Sequence, residues 1–403
     1  MTMKSLLLGA AAGIATLGAA QAADLPMTKA EPVEYVKVCS TFGPGFFYIP
    51  GTDTCLKIGG EIRADYRAYG NTKTETRDVN RVAFQGEGRI WFDARTDTDW
   101  GLLRSYFQID ADGYTYSKTG NGKSNNFIVD KAFIQFGGLT AGFAHSFFGY
   151  YDNFYGDTIF GPYYAESSSV NLLAYTAQFG GGFSATLSIE DGREHRIQGS
   201  SIQNDGLTYG GQQYPDVVGV LALDQSWGYL QASGALHQWR SSEADLTNLG
   251  IIKTRTGWAA GGTALIKLPF IDSGHFIVEG QYADGALEYL GASNTEFGTV
   301  DDQGFKNGSL TQLKSGKGWS IVGELGGNIT PVLNAELVAS YIDTKASFLK
   351  IQEATVSANL TYTVVKGFTV APEITWVYGK IKENNIKTTE DVVEGGIRLK
   401  RTF

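Results

Sequence analysis

Long stretches of the chain alternate strictly between apolar and polar residues, and this period of two restricts the fold more than any other feature. In residues 61–69 the apolar positions are Ile62, Ala64, Tyr66 and Ala68. Successive side chains of a β-strand point to opposite faces of the sheet, whereas a helix repeats every 3.6 residues. Residues 84–95 and 354–364 repeat the pattern. The alternation therefore predicts strands that each have one apolar and one polar face.

The same rule predicts about sixteen strands of roughly ten residues, the length that a tilted strand needs to cross a bilayer. The predicted strands lie near residues 55–69, 84–95, 101–111, 127–137, 138–145, 171–179, 182–190, 215–224, 227–238, 257–268, 274–284, 318–329, 332–343, 354–364, 367–379 and 391–403. Short turns alternate with long polar connections at 70–83, 112–126, 146–170, 191–214, 239–256, 285–317, 344–352 and 380–390.

This sorting of connection lengths distinguishes between two all-β folds. A soluble β-sandwich also alternates along its strands, but it has no reason to place long and short connections at opposite ends. In bacterial outer-membrane barrels the short turns are periplasmic and the long loops are outside. The sequence therefore predicts a transmembrane antiparallel β-barrel over residues 55–403. The polar parity is expected to face inward throughout.

The first residues have the composition of an export signal. Lys4 precedes an apolar run from Leu6 to Leu17, and Ala20-Gln21-Ala22 is a small-x-small cleavage sequence. A membrane helix would need roughly 20 apolar residues. We therefore expect residues 1–22 to be a cleaved signal peptide and residues 23–54 to be a short segment before the barrel.

Two cysteines, Cys39 and Cys55, are the only ones in the chain. Exported proteins meet an oxidising compartment, where an isolated cysteine pair is expected to form a disulfide. Two cysteines alone cannot supply a structural zinc site. The sequence predicts a disulfide clip in the N-terminal segment.

Charge and motifs exclude several functional classes. The formal net charge of −9 argues against nucleic-acid binding, which requires a basic face. No His-Glu-x-x-His, Gly-x-Ser-x-Gly or P-loop sequence is present, and no pair of histidines has metal-ligand spacing. His145 and His237 are expected to face the lumen, and His195 lies in a predicted loop. We therefore predict no enzymatic activity, no cofactor and no metal site.

Three stretches resemble the general porins of alphaproteobacteria. They are VCSTFGPGFFYIPGTDTCLKIGG at 38–60, FGGLTAGFAHSFF at 136–148 and RLKRTF at 398–403. The resemblance follows the order of features over the whole mature chain. It implies a homotrimer of 16-stranded barrels in the outer membrane, with the third loop folded into the lumen. It also implies a water-filled channel for passive diffusion of small hydrophilic solutes and ions.

Loop 146–170 corresponds to that third loop, and its charges suggest a filter. It carries Asp152, Asp157 and Glu166 and no Lys or Arg. A basic wall is predicted opposite the loop, on the polar parity of the first four strands: Arg63, Arg67, Arg89, Arg95, Arg104 and Lys131. Charge rings of this kind bias the selectivity of a pore. Asp65, Glu87, Asp93 and Asp110 share the basic parity, so some arginines are expected to pair locally.

Three alternatives remain open from the sequence. Loop 146–170 could be an external loop unrelated to the pore. Its aromatic residues are also compatible with a substrate-specific channel, such as one for sugars, in which a run of aromatic side chains lines the pore. A barrel-embedded outer-membrane hydrolase would need a histidine on the lipid-facing parity, and the sequence does not obviously supply one.

Overall fold

A closed β-barrel makes up nearly all of the protein. The structure is a computed structural model that describes residues 37–73, 79–116, 123–150, 155–161, 163–197, 209–240, 254–305 and 313–403. These residues form sixteen long strands, each paired antiparallel with its neighbours in sequence. The last strand pairs with the first, from Gly395 beside Ala68 to Thr402 beside Glu61, and closes the sheet. The predicted 16-stranded antiparallel barrel is confirmed.

The strands are numbered β1 to β16 along the chain. Their bounds are Cys55–Ala68, Val82–Thr98, Gly101–Tyr116, Lys123–Phe136, Leu139–His145, Ser169–Gly180, Phe183–Glu190, Asp216–Gln225, Gly228–Arg240, Thr254–Lys267, Asp272–Asp284, Lys317–Thr330, Leu333–Ala346, Leu349–Val365, Phe368–Glu383 and Ile386–Thr402. The short strand Phe47–Tyr48 pairs with the start of β1. The connections contain the short strands Gln303–Phe305 and Leu313–Ser315 and the 3₁₀ turns Tyr155–Asp157, Leu287–Leu290 and Ala292–Asn294. Within the described residues, no helix is long and apolar enough to span a membrane.

Two predicted long connections are instead tight hairpins. Residues 344–352 and 380–390 continue the ladder, with Lys345 beside Lys350 and Lys382 beside Lys387, and only two residues separate the strands at each tip. At the first tip Leu349 and Ile351 are apolar on the inner face, where they join a buried cluster, so the lipid-facing alternation ends although the strand pairing continues. The prediction of loops there was wrong.

The alternation corresponds to the two faces of the barrel wall. On β14, Glu353, Thr355 and Ser357 are buried inside the barrel, while Val356 and Leu360 are exposed on its outer face. On β1, Ile58, Ile62 and Tyr66 are likewise exposed, and Arg63 and Asp65 are buried. The apolar belt therefore surrounds the barrel, as a lipid-facing surface requires.

The inner face is not polar throughout, which departs from the prediction. Val218 and Val220 of β8 and Ile342 of β13 point inward and are buried. They belong to an apolar cluster with side chains from three connections, among them Phe148, Ile197 and Leu287. Inward residues at this part of the wall are apolar because folded connections cover them instead of water.

The N-terminal segment is fastened to the start of β1. Cys39 and Cys55 form a disulfide with an S–S distance of 2.03 Å, which confirms the predicted pair. Phe47 pairs with Leu56, and Phe46 packs against the buried disulfide. The predicted signal peptide lies outside the described residues and stays a prediction.

Candidate functional site

A cavity of about 610 Å³ inside the barrel brings together charged residues of β1, β2, β4, β13 and β16 and of the connection after β5. Its lining residues are Glu61, Arg63, Arg89, Trp91, Tyr106, Gln108, Asp130, Lys131, Gly156, Asp157, Tyr163, Ser167, Asn294, Glu336 and Lys400. The four basic side chains in this set equal the four acidic ones in number. The lining is therefore strongly charged but formally balanced.

Three residues of the predicted basic wall line this cavity. Arg89 bonds to Asp110 at 2.9 Å through Nε, and Arg63 lies 2.5 Å from Glu61. Lys131 follows a bulge in β4, where the register against β3 shifts between Gln108 and Ile109. A bulge re-aims neighbouring side chains, and it accounts for the presence of both Asp130 and Lys131 in the lining.

The other three predicted wall residues lie on the inner face outside this lining. Arg95 and Arg104 share one carboxylate, Asp93, at distances between 2.7 and 3.0 Å. Arg67 pairs with Asp65 at 3.1 Å. The local pairing expected for arginines on this parity therefore occurs, and it partly neutralises the wall.

Asp157 is the loop carboxylate that lines the cavity, and it meets the basic wall directly. Arg398 Nη1 donates to its Oδ1 at 2.8 Å, Lys400 bonds to its Oδ2, and Arg63 lies 3.6 Å away. Burial opposes ionisation of Asp157, but Lys400, Arg398 and Arg63 outweigh it, so its pKa falls below the ordinary 3.8. Asp157 is an ionised carboxylate held by three cations.

Arg398 and Lys400 were not among the predicted site residues. They stand on the polar parity of β16, and closure of the barrel sets Lys400 beside Arg63 and Arg398 beside Asp65. A prediction that paired the last strand with the first would have placed them in the basic wall.

The remaining loop carboxylates are placed differently. Glu166 is buried and does not line the cavity; its Oε1 lies 3.3 Å from Nε2 of His195. Asp152 lies outside the described residues. Glu166 therefore faces a histidine inside a packed cluster, whereas Asp157 faces the cavity.

Carboxylates of the opposite wall bind the loop. Tyr155 donates to Glu279 of β11 at 2.6 Å, and the N–H of Gly156 donates to Glu324 of β12 at 3.1 Å. Glu373 of β15 accepts from the N–H groups of Ile159 and Phe160 at 2.6 and 2.9 Å, and Glu353 of β14 accepts from Tyr164. These contacts place residues 155–161, 163 and 164 beside the inner face of β11 to β15.

Gly156 brings the loop backbone close to this wall. Its φ of +64° lies in the left-handed region, which favours glycine. A Cβ at this position would lie 2.9 Å from Val338 Cγ2. The backbone at Gly156 can therefore reach Glu324 only without a side chain.

A charged, polar cavity inside a closed barrel with an apolar outer belt defines an outer-membrane channel protein. The model of the porin subfamily matches residues 24–396. The Omp2b porin of Brucella neotomae is 29% identical over 428 residues, with 100% of both chains covered. The chain belongs to the porin subfamily, which confirms the resemblance to general porins, and it forms an outer-membrane channel.

Solved structures show the same fold at low sequence identity. The outer membrane channel DcaP of Acinetobacter baumannii matches with a TM-score of 0.67 and 14% identity, covering 88% of this chain and 99% of that one. The trimer form of OmpT from Vibrio cholerae matches with a TM-score of 0.51 and 9% identity, covering 87% and 100%.

Proposed function

We propose that this porin is a general diffusion channel whose narrowest part lies between the loop after β5 and the wall formed by β1 to β4 and β16. One observation carries the proposal: loop residues and wall residues line the same cavity of about 610 Å³. Carboxylates on β11, β12, β14 and β15 anchor the loop on the far side. Solutes then pass through the space that the loop leaves beside the basic wall.

The charge of this constriction favours small hydrophilic solutes of either sign. Four basic and four acidic side chains line the cavity, so no single sign dominates. Charged linings bias ion passage by their local balance. We propose weak selectivity, which Asp157 controls from the loop and Arg63, Arg89, Lys131 and Lys400 control from the wall.

A substrate-specific channel is less well supported. Phe148, Tyr155 and Tyr164 are fully buried between loop and wall. Trp91, Tyr106 and Tyr163 are the aromatic side chains of the described cavity lining. Most described aromatic residues of the loop therefore pack it in place and offer little surface to a passing sugar.

We propose that the channel carries out no reaction. All four histidines are described: His145, His195, His237 and His275 each contact inward-facing or loop carboxylates. None has the lipid-facing position that a barrel-embedded hydrolase needs. A homotrimer in the outer membrane is the assembly we propose, supported by the family resemblance and by the OmpT structure solved as a trimer.

Single-channel recording on a loop deletion tests the constriction. Removing residues 150–164 should leave a folded barrel, checked by circular dichroism and heat-modifiable electrophoretic mobility, and should raise the conductance because the channel is wider. A variant of unchanged loop length, Asp157→Asn, should keep a conductance close to that of the wild type and change only selectivity. Unchanged conductance after the deletion would place the constriction elsewhere.

A further inference from the structure

A buried cluster of ionisable side chains lies beside the constriction loop. At its centre is His195, in the connection between β7 and β8, which is completely buried. Nε2 of its ring lies 3.3 Å from Glu166 Oε1, and Nδ1 lies 3.6 Å from Asp216 Oδ2. A neutral imidazole has one N–H donor and one acceptor nitrogen. Glu166 at hydrogen-bond distance and Asp216 at ion-pair distance together favour the doubly protonated, cationic form.

The cluster joins three connections to the wall. Glu166 belongs to the constriction loop, and Asp216 is the first residue of β8. Tyr289, from the connection between β11 and β12, donates to Asp216 at 2.9 Å and stacks on His195 with ring centroids 4.2 Å apart. His237 of β9 bonds to the same Asp216 oxygen at 2.7 Å. The buried, protonated ring of His195 thus lies where the three connections meet.

Glu166 is close enough in sequence to the cavity to affect its shape. Tyr163 and Ser167, on either side of it, both line the cavity. Glu166 also accepts the N–H of Ser168 at 2.6 Å, where the loop returns toward β6. A shift of Glu166 therefore also moves these loop residues, which form one side of the channel.

We propose that His195 is the positioning residue of the constriction: held between Glu166 and Asp216, it ties the three connections together and fixes the width of the channel. This inference rests on the proposed role of the loop as the constriction. Losing one partner of a buried ion pair leaves the other charges uncompensated, which strongly destabilises the packed position of the loop against the wall.

The pH range of this ionic contact follows from the groups that face it. Burial alone would lower the pKa of His195, but Asp216 and Glu166 raise it to about 10. Burial would raise the pKa of Glu166, but His195 and His145 lower it below the ordinary 4.5. The contact is therefore already present at pH 4.5 and is lost as the pH rises through about 10. The other groups facing the cluster are Glu190 of β7, His237 of β9, and Glu288 and Tyr289 of the connection after β11.

Hydrogen exchange measured by mass spectrometry tests the contact independently of conductance. In His195→Gln at pH 7, exchange of the peptide covering 155–168 should be faster by about a hundredfold, the order expected for breaking a buried ion pair. The wild type should show this acceleration only as the pH rises through about 10. The matched control is Arg193→Gln, which removes an exposed arginine of the same connection that pairs with Asp191. It should exchange like the wild type.

Single-channel recording then tests the positioning role. At pH 7 the His195→Gln channel should close partially and often, and it should close at a lower voltage than the wild-type channel. The Arg193→Gln channel should give a steady current. If the barrel of His195→Gln does not fold, Glu166→Gln makes the same test from the loop side.

The outcomes separate this inference from the proposed function. Unchanged exchange in the variants overturns the ionic contact, and faster exchange with a steady current overturns the positioning role. Faster exchange combined with unaltered conductance of the 150–164 deletion keeps the contact but refutes the constriction itself.

Discussion

Neutralising Asp157 tests whether the charge balance of the cavity sets selectivity. Asp157→Asn removes one of four carboxylates in the lining. Arg63, Arg398 and Lys400 then lose their ionic contact with this carboxylate. A unit charge roughly 5 Å from a passing ion contributes about 0.8 kcal/mol in water, and about 0.5 kcal/mol with the screening of 0.1 M salt. This energy changes the local concentration of each ion about twofold, in opposite directions for anions and cations. The anion-to-cation permeability ratio should therefore rise about fivefold.

Reversal potentials in a KCl gradient measure this ratio. At 1 M salt the screening length is only ~3 Å, so the change should fall below about twofold. The matched control is Asp53→Asn, an exposed aspartate before β1, which should leave the ratio unaltered. An equal shift in both variants, or a shift that persists undiminished at 1 M, would refute the local electrostatic reasoning.

At low pH the wild type should lose the contribution of Asp157 to selectivity, as Asp157→Asn does at neutral pH. Lys400, Arg398 and Arg63 outweigh burial and depress the pKa of Asp157 below 3.8, so its charge persists above that pH and is lost only as the pH falls through the lowered value. Glu61, Asp130 and Glu336 also line the cavity and are common to both proteins, so the difference between the wild type and Asp157→Asn isolates the charge of Asp157. This difference should stay constant from pH 7 to about pH 4 and shrink below it.

Two further predictions concern the barrel wall and the N-terminal clip. Leu187 is exposed on the outer face of β7, and its neighbour Thr186 points inward. Leu187→Arg should lower the free energy of unfolding in lipid vesicles by about 2–4 kcal/mol if it lies near the midplane, and Thr186→Arg by much less; equal losses would contradict the face assignment. Changing Cys39 and Cys55 together to Ser should cost about 3 kcal/mol, the chain-entropy value for a closed loop of this length, measured as a lower denaturant midpoint. An unchanged midpoint would show that the clip does not stabilise the barrel.

The strands were predictable because the membrane imposes a pattern that each strand must satisfy by itself. Ile58, Ile62 and Tyr66 must be apolar because lipid surrounds them, whichever strands lie beside β1. Beyond the membrane this requirement ends. The strand pairing at Lys345 and Lys350 continues without the lipid-facing pattern. A prediction from the alternation alone therefore ends these strands too early.

The site was less predictable because it depends on how the connections fold. The parity of Arg63 and Arg89 along their strands is enough to predict that they face the inside of the barrel. Nothing in the local sequence separates Asp157, which faces three cations, from Glu166, which faces His195. Both are single carboxylates in one polar loop, and only the tertiary contacts with β16 and with the connection after β7 give them different environments.

The inward carboxylates of the far wall explain why the charge of the chain is a poor guide to the charge of the channel. A loop inside a barrel must satisfy its backbone N–H groups without the full hydration available outside. Glu324 and Glu373 accept such groups, and Glu279 and Glu353 accept tyrosine hydroxyls from the same loop. These acidic side chains anchor the loop and do not line the cavity, where the charges balance. The net charge of −9 therefore includes carboxylates that anchor the loop, and the proposed selectivity rests on the few carboxylates that line the cavity.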